Sequence, residues 1–197
     1  MKHGLPLRNP YLRAMDRGRS QHTLVWGALM NEIETSRLIR KIRVWLALFI
    51  VGLMLSGVTA FPLEHETALL NRMFGVATVP TAGGEPDLHV WLRRVHEGIA
   101  NTNRDYPFMA YGTDWLAFAH LVIAVAFLGP LVDPVRNKWV LVFGVAACLG
   151  VLPLALIAGP IRGIPFYWRL IDCSFGVIGV VPLLVCLQYI RRIEQTA

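Results

Sequence analysis

Four stretches of this chain carry no Asp, Glu, Lys or Arg: residues 44–63, 115–132, 139–161 and 173–190. A helix rises about 1.5 Å per residue, so some 20 residues cross the roughly 30 Å hydrocarbon core of a bilayer. Lipid offers no hydrogen-bond partners, so only helices and closed barrels can span it. The runs are apolar all round and do not alternate, which selects helices. The fourth reaches full length only if its helix starts near Phe166, which takes Arg169 and Asp172 inside it. Only 16% of the residues are charged and mean hydropathy is +0.50, whereas soluble domains run near 25% charged. The expectation is an all-α membrane protein: a four-transmembrane-helix bundle with an outward-facing helical segment between spans 1 and 2.

Aromatic residues bracket the runs as interfacial anchors do. Trp45, Trp115 and Trp139 open the first three, and Tyr167, Trp168 and Tyr189 flank the fourth. Lys and Arg give the orientation. Of the 19, 13 fall in residues 1–43, the 133–138 loop and the tail, and six fall on the other side. By the positive-inside rule both termini are cytoplasmic and the insert is extracytoplasmic. The net charge of +6 is then a topology signal and no nucleic-acid footprint. The chain divides into a basic cytoplasmic segment (1–43), a transmembrane domain (44–190) and a cytoplasmic tail (191–197). The domain has spans near 44–63, 115–132, 139–160 and 166–190, with an insert at 64–114. Residues 1–29 show no periodicity, and Met30 is an alternative start. Read from Met30, the basic cluster, the apolar run and Val58-Thr59-Ala60 resemble a signal peptide, but the run continues to Leu63 and a retained anchor is expected.

The insert holds the remaining local signals. A short helix is expected over residues 63–74, a turn over residues 81–86, and a helix capped by Asp87. In that helix Leu88, Trp91, Leu92, Val95 and Ile99 form one apolar stripe, while His89, Arg93, Arg94, His96 and Glu97 form the polar face. It is expected on the membrane surface or over the bundle mouth. His89 and His96 are seven apart with Arg93 between them, which suits a solvated face better than a metal pair.

Polar groups within the spans are stratified. Ser56, Thr59, Asp114, His120, Arg162, Arg169, Asp172, Cys173 and Ser174 lie in the expected outer half, and the inner half holds only Cys148, Cys186 and Gln188. Burying a charge in lipid costs several kcal/mol, so such groups should face the bundle interior. Small residues beside them point the same way: Ala117 and Ala124 around His120, Gly176 and Gly179 near Asp172, and Gly52, Ser56 and Ala60 on span 1. The candidate outward-facing polar site is therefore Asp114, His120, Arg162, Arg169, Asp172 and Cys173. A purely structural reading stands beside it. Asp114 would cap span 2, Arg169 and Asp172 would pair, Arg162 would snorkel, and His120 would bond a neighbouring helix. Pro153 and Pro182 are candidate kinks.

The motifs exclude several chemistries. No Cys-x-x-Cys serves thiol oxidation, no second intramembrane histidine serves haem, and no zinc motif, phosphate loop or nucleophile elbow occurs. No cofactor or metal is expected. An apolar inner half argues against a pump or channel.

Two strings carry a resemblance: Tyr111-Gly112-Thr113-Asp114-Trp115-Leu116-Ala117-Phe118 and Gly159-Pro160-Ile161-Arg162-Gly163-Ile164-Pro165-Phe166-Tyr167-Trp168-Arg169-Leu170-Ile171-Asp172-Cys173-Ser174-Phe175-Gly176. They resemble a group of bacterial multi-pass inner-membrane proteins of unknown function, over roughly residues 36–190. The resemblance implies a bacterial inner membrane and brings no activity or catalytic residue. The expected role is non-enzymatic: an accessory or assembly protein whose polar rim positions a lipid headgroup, a membrane protein partner or a second copy. The alternative is an enzyme at the outer leaflet, with Asp172 or His120 as general base and Arg162 and Arg169 binding an anionic group. An outward-open transporter fragment is the weakest reading.

Overall fold

The computed structural model describes residues 10–76, 84 and 86–196, with the backbone alone for 10–25 and Ala28. The turn expected at 81–86 falls largely outside the described residues. Four helical segments are long and apolar enough to cross a membrane: Leu29–Thr59, Pro107–Val132, Lys138–Ile161 and Phe166–Thr196. Their surfaces carry large exposed apolar side chains such as Leu48, Val51, Leu55, Val142, Phe175 and Ile178. Water would not tolerate that much exposed apolar surface, and hydrocarbon does.

Helix α1 (Pro10–Thr59) is one unbroken helix. It takes in residues 10–29, where no periodicity predicts an element, and ends four residues before the apolar run does. Pro62 lacks the amide that would continue the helical ladder, so the chain turns at Ala60–Pro62 and starts α2 (Leu63–Met73). Helix α3 (Asp87–Asp105) follows, with Pro86 at its N-cap and Asp87 as its first helical residue. A single turn, Pro107–Met109, leads into α4 (Ala110–Ala126), and the short α5 (Leu128–Val132) continues it. The break at Phe127 matches the amide that Pro130 cannot offer to Ala126.

Helix α6 (Lys138–Pro153) passes through a π-helical turn, Leu154–Ala158, into the short α7 (Gly159–Ile161). Pro153 and Pro160 bracket that turn. Each removes one backbone donor, and the wider turn absorbs the mismatch. Helix α8 (Phe166–Thr196) runs through Pro182 and beyond the end of its apolar run. It starts at Phe166, so Arg169 and Asp172 lie in its first two turns.

The spanning helices form an arc in the order α4, α1, α8, α6, each packed on the next. The packed core sits toward the end that carries the termini. There Leu38, Ile42, Leu46 and Ile50 of α1 meet Leu183, Cys186, Ile190 and Ile193 of α8, with Phe127, Val140 and Leu141 closing the cluster. Phe127 sits against Gly144 and is fully buried, so the two ends of the arc, α4 and α6, meet at this level. Polar groups clamp the same end. Arg43 donates to the carbonyls of Leu131 and Val132, both at 3.1 Å, and Lys138 pairs with Glu194 at 2.7 Å. A guanidinium on the last carbonyls of a helix also suits its dipole.

Close approach uses other small residues than the stripe of Gly52, Ser56 and Ala60 predicts. Gly52 has open space around it, and Ser56 is exposed. Gly57 makes the contact with α4, its α-carbon facing the Ala117 carbonyl and the His120 Cβ. Gly176 and Gly179 do pack as expected, against the Cys148 carbonyl and sulfur.

Candidate functional site

At the other end of the bundle the helices diverge, and two cavities follow one another along α4. The first lies under α2 and α3. Its volume is about 980 Å³, and Ala110 and Thr113 of α4 belong to its wall. The second is a cleft of about 960 Å³ between α4 on one side and α6 and α8 on the other, with α1 as its floor. Leu116, His120, Ile123 and Phe127 continue the α4 wall into it.

The cleft exists because α4 packs on α1 alone along this stretch. Ala117 and Ala124 are buried against α1, which turns Leu116, His120 and Ile123 toward the open side. Its polarity is graded. Ser56, His120 and Asp172 lie at the end nearer α2 and α3, while Trp45, Phe127 and Pro182 lie deeper. His120 Nδ1 is 2.8 Å from the Leu116 carbonyl of its own helix. A carbonyl only accepts, so Nδ1 carries the proton there. Among the described residues His120 makes no hydrogen bond to a neighbouring helix, where one was expected. Asp172, half-buried on the same face of α8 as Gly176 and Gly179, has no donor or cation among the described residues.

The sequence-predicted candidates are thus separated. His120 and Asp172 share the cleft, without a direct bond between them. Arg162 lines the cavity under α2 and α3. Gly163, at φ +70°, makes the reversal that follows Arg162. Arg169 lines neither cavity: its methylenes press on Gly159, its guanidinium lies 5.2 Å from the Phe166 ring centre, and its buried Nε has no acceptor among the described residues. The Arg169–Asp172 ion pair does not form. Asp114 is not a cap, because α4 starts at Ala110 with Met109 at its N-cap. It lies about 120° round the helix from His120, a consequence of their six-residue spacing, and lines neither cavity. Cys173 is half-buried and also outside both.

The cavity under α2 and α3 brings in residues that sequence reasoning did not single out. Helix α3 lays Trp91, Val95 and Ile99 of its apolar stripe over the opening, with the Trp91 ring tilted against Trp168 at a centre-to-centre distance of 6.3 Å. Arg94, next to that stripe on the helical wheel, joins the wall with Arg162, Glu64 and His65. Glu64 Oε2 accepts from Asn103 Nδ2 at 2.8 Å, and His96 Nδ1 is 3.0 Å from the Thr67 hydroxyl. His96 therefore faces α2, where a solvated face was expected. The Trp91 indole N–H is buried with no acceptor among the described residues. No signal in the sequence pairs Arg94 with Arg162, because 68 positions separate them.

Among the described residues no three His, Cys, Asp or Glu side chains gather closely enough to hold a metal. Fold and cavities together define a multi-pass α-helical membrane protein with an amphipathic cleft. No known protein family, curated protein or solved structure matches this chain.

Proposed function

We propose that this is a non-enzymatic lipid-binding protein of the bacterial inner membrane, with both termini cytoplasmic and an accessory or assembly role. The graded cleft is the observation that carries the reading. From Leu116 to Phe127 it extends about 16 Å along α4, close to one leaflet's share of the roughly 30 Å hydrocarbon core. An amphiphile lying in it would meet Ser56, His120 and Asp172 with its polar end and the aromatic floor with its chain. Its volume falls at the upper end of the roughly 300–1,000 Å³ of small-molecule sites. The excess of basic residues at the end carrying the termini supports the orientation. The enzyme reading assigned the anionic group to Arg162 and Arg169, and Arg169 packs away from both cavities.

A substitution that fills the cleft tests this. A Cβ added at Gly52 meets no atom within 4 Å, and Gly52 belongs to the cleft wall, so Gly52→Phe starts its side chain in open space and narrows the cleft. Lipid retained through purification in mild detergent, counted by mass spectrometry, should fall to a small fraction of the wild-type amount while the thermal midpoint holds. Unchanged lipid content in a folded Gly52→Phe protein would refute the reading.

A further inference from the structure

The two arginines at the mouth of this site add a specificity that the cleft alone does not have. Arg94 on α3 and Arg162 after α7 line one cavity, and neither has a hydrogen-bond or ion-pair partner among the described residues. Glu64 shares that cavity, but Asn103 occupies one of its carboxylate oxygens. Two guanidinium groups against one bonded carboxylate leave a local excess of positive charge. A guanidinium presents paired donors that match phosphate geometry. The same cavity adjoins the cleft along α4, where Thr113 belongs to one and Leu116 to the other, about 4.5 Å further along the helix.

We propose that the cavity and the cleft are one continuous site for an anionic phospholipid of the leaflet on the α2–α3 side. Arg94 and Arg162 hold its phosphate, and one acyl chain lies in the cleft. The assignment rests on the lipid-binding reading above and adds the headgroup. Helices α2 and α3 form the roof of the headgroup cavity, with Trp91, which packs at a tilt against Trp168, in its wall. The lipid enters sideways, through the gap between α4 and α6, which close on each other at Phe127 and Gly144.

The full chain in neutral mild detergent, titrated with phosphatidylglycerol and phosphatidylcholine of equal chain length and read by native mass spectrometry, tests the assignment. The wild type should prefer phosphatidylglycerol by about tenfold. The R94Q/R162Q protein should lose that preference and keep its phosphatidylcholine affinity, and R94K/R162K should keep part of the preference. Gly52→Phe should weaken both lipids together, and millimolar inorganic phosphate should displace neither. A preference that survives in R94Q/R162Q overturns the headgroup assignment, as does equal binding of the two lipids by the wild type. Displacement by inorganic phosphate overturns the lipid as the source of the anion. In each of those cases sensitivity to Gly52→Phe leaves the cleft reading standing, and insensitivity removes it.

Discussion

Gly176→Ala is the sharpest test of how the bundle is held together. A Cβ on Gly176 would sit 2.5 Å from the Cys148 carbonyl oxygen and 3.3 Å from the Val151 Cβ. Ordinary contact begins near 3.4 Å, so the first distance is about 0.9 Å short. The obstacle is backbone inside α6 and cannot rotate away as a side-chain tip would. Relief requires α6 and α8 to separate, which loosens the contact of Gly144 with Leu183 one turn further in. Overpacking of this kind costs about 1–3 kcal/mol, and the better helix propensity of Ala returns up to about 1 kcal/mol. The net loss is on the order of 1–2 kcal/mol, a fall in thermal midpoint of a few degrees for a chain this long. Gly52→Ala is the matched control, since its Cβ enters open space. It should hold or raise the midpoint. Thermal unfolding of both proteins in one detergent, followed by tryptophan fluorescence, reads the difference. Equal midpoints for the two variants would refute the close α6–α8 contact as a determinant of stability.

Three further outcomes follow from the geometry. Arg43→Gln should lower stability by about 1 kcal/mol, because the carbonyls of Leu131 and Val132 lose a charged donor; an unchanged midpoint would show that water replaces the guanidinium. Thr67→Val should leave the global midpoint nearly unchanged and speed amide hydrogen exchange in α2. The Thr67 hydroxyl links α2 to His96 of α3, and the hairpin lies apart from the main core; unaltered exchange would show that apolar contact alone holds the hairpin. For topology, a cysteine reporter replacing Gly83 should react with an impermeant reagent in intact cells, and one replacing Asn137 should react only after lysis. The reverse pattern would overturn the assigned orientation.

Several features were legible in the residues because each depends on local physics. Helix number follows from run length against bilayer thickness. The start of α8 at Phe166 follows from the same requirement, and α3 follows from the helical spacing of Leu88, Trp91, Leu92, Val95 and Ile99, although Pro86 stands at its N-cap where Asp87 was expected. Gly176 and Gly179 read correctly as contact residues, because they share a face with Asp172 on one helix. What failed depended on neighbours. Asp114 looked like a cap until α4 began a turn earlier, after Pro107. Arg169 and Asp172 have ion-pair spacing, yet Arg169 packs on Phe166 of its own helix and on Gly159 across the reversal at Gly163. Gly52 and Ser56 share the four-residue spacing of a packing stripe, but the helix that would cover them stands away and leaves a cleft.

The sequence by itself determined that this chain spans a membrane four times and that its intramembrane polar groups gather toward one end. Hydropathy, helical rise and the cost of a charge in lipid act on each segment separately and need no knowledge of the others. Only the tertiary structure decided which of those groups meet. The arc order of the helices and the one-sided packing of α4 leave His120 and Asp172 facing one cleft. The packing of α3 over the mouth places Arg94 and Arg162 in the wall of one cavity. Such juxtapositions are set by helix-to-helix contacts between residues far apart in the chain, and periodicity along a single helix carries no record of them.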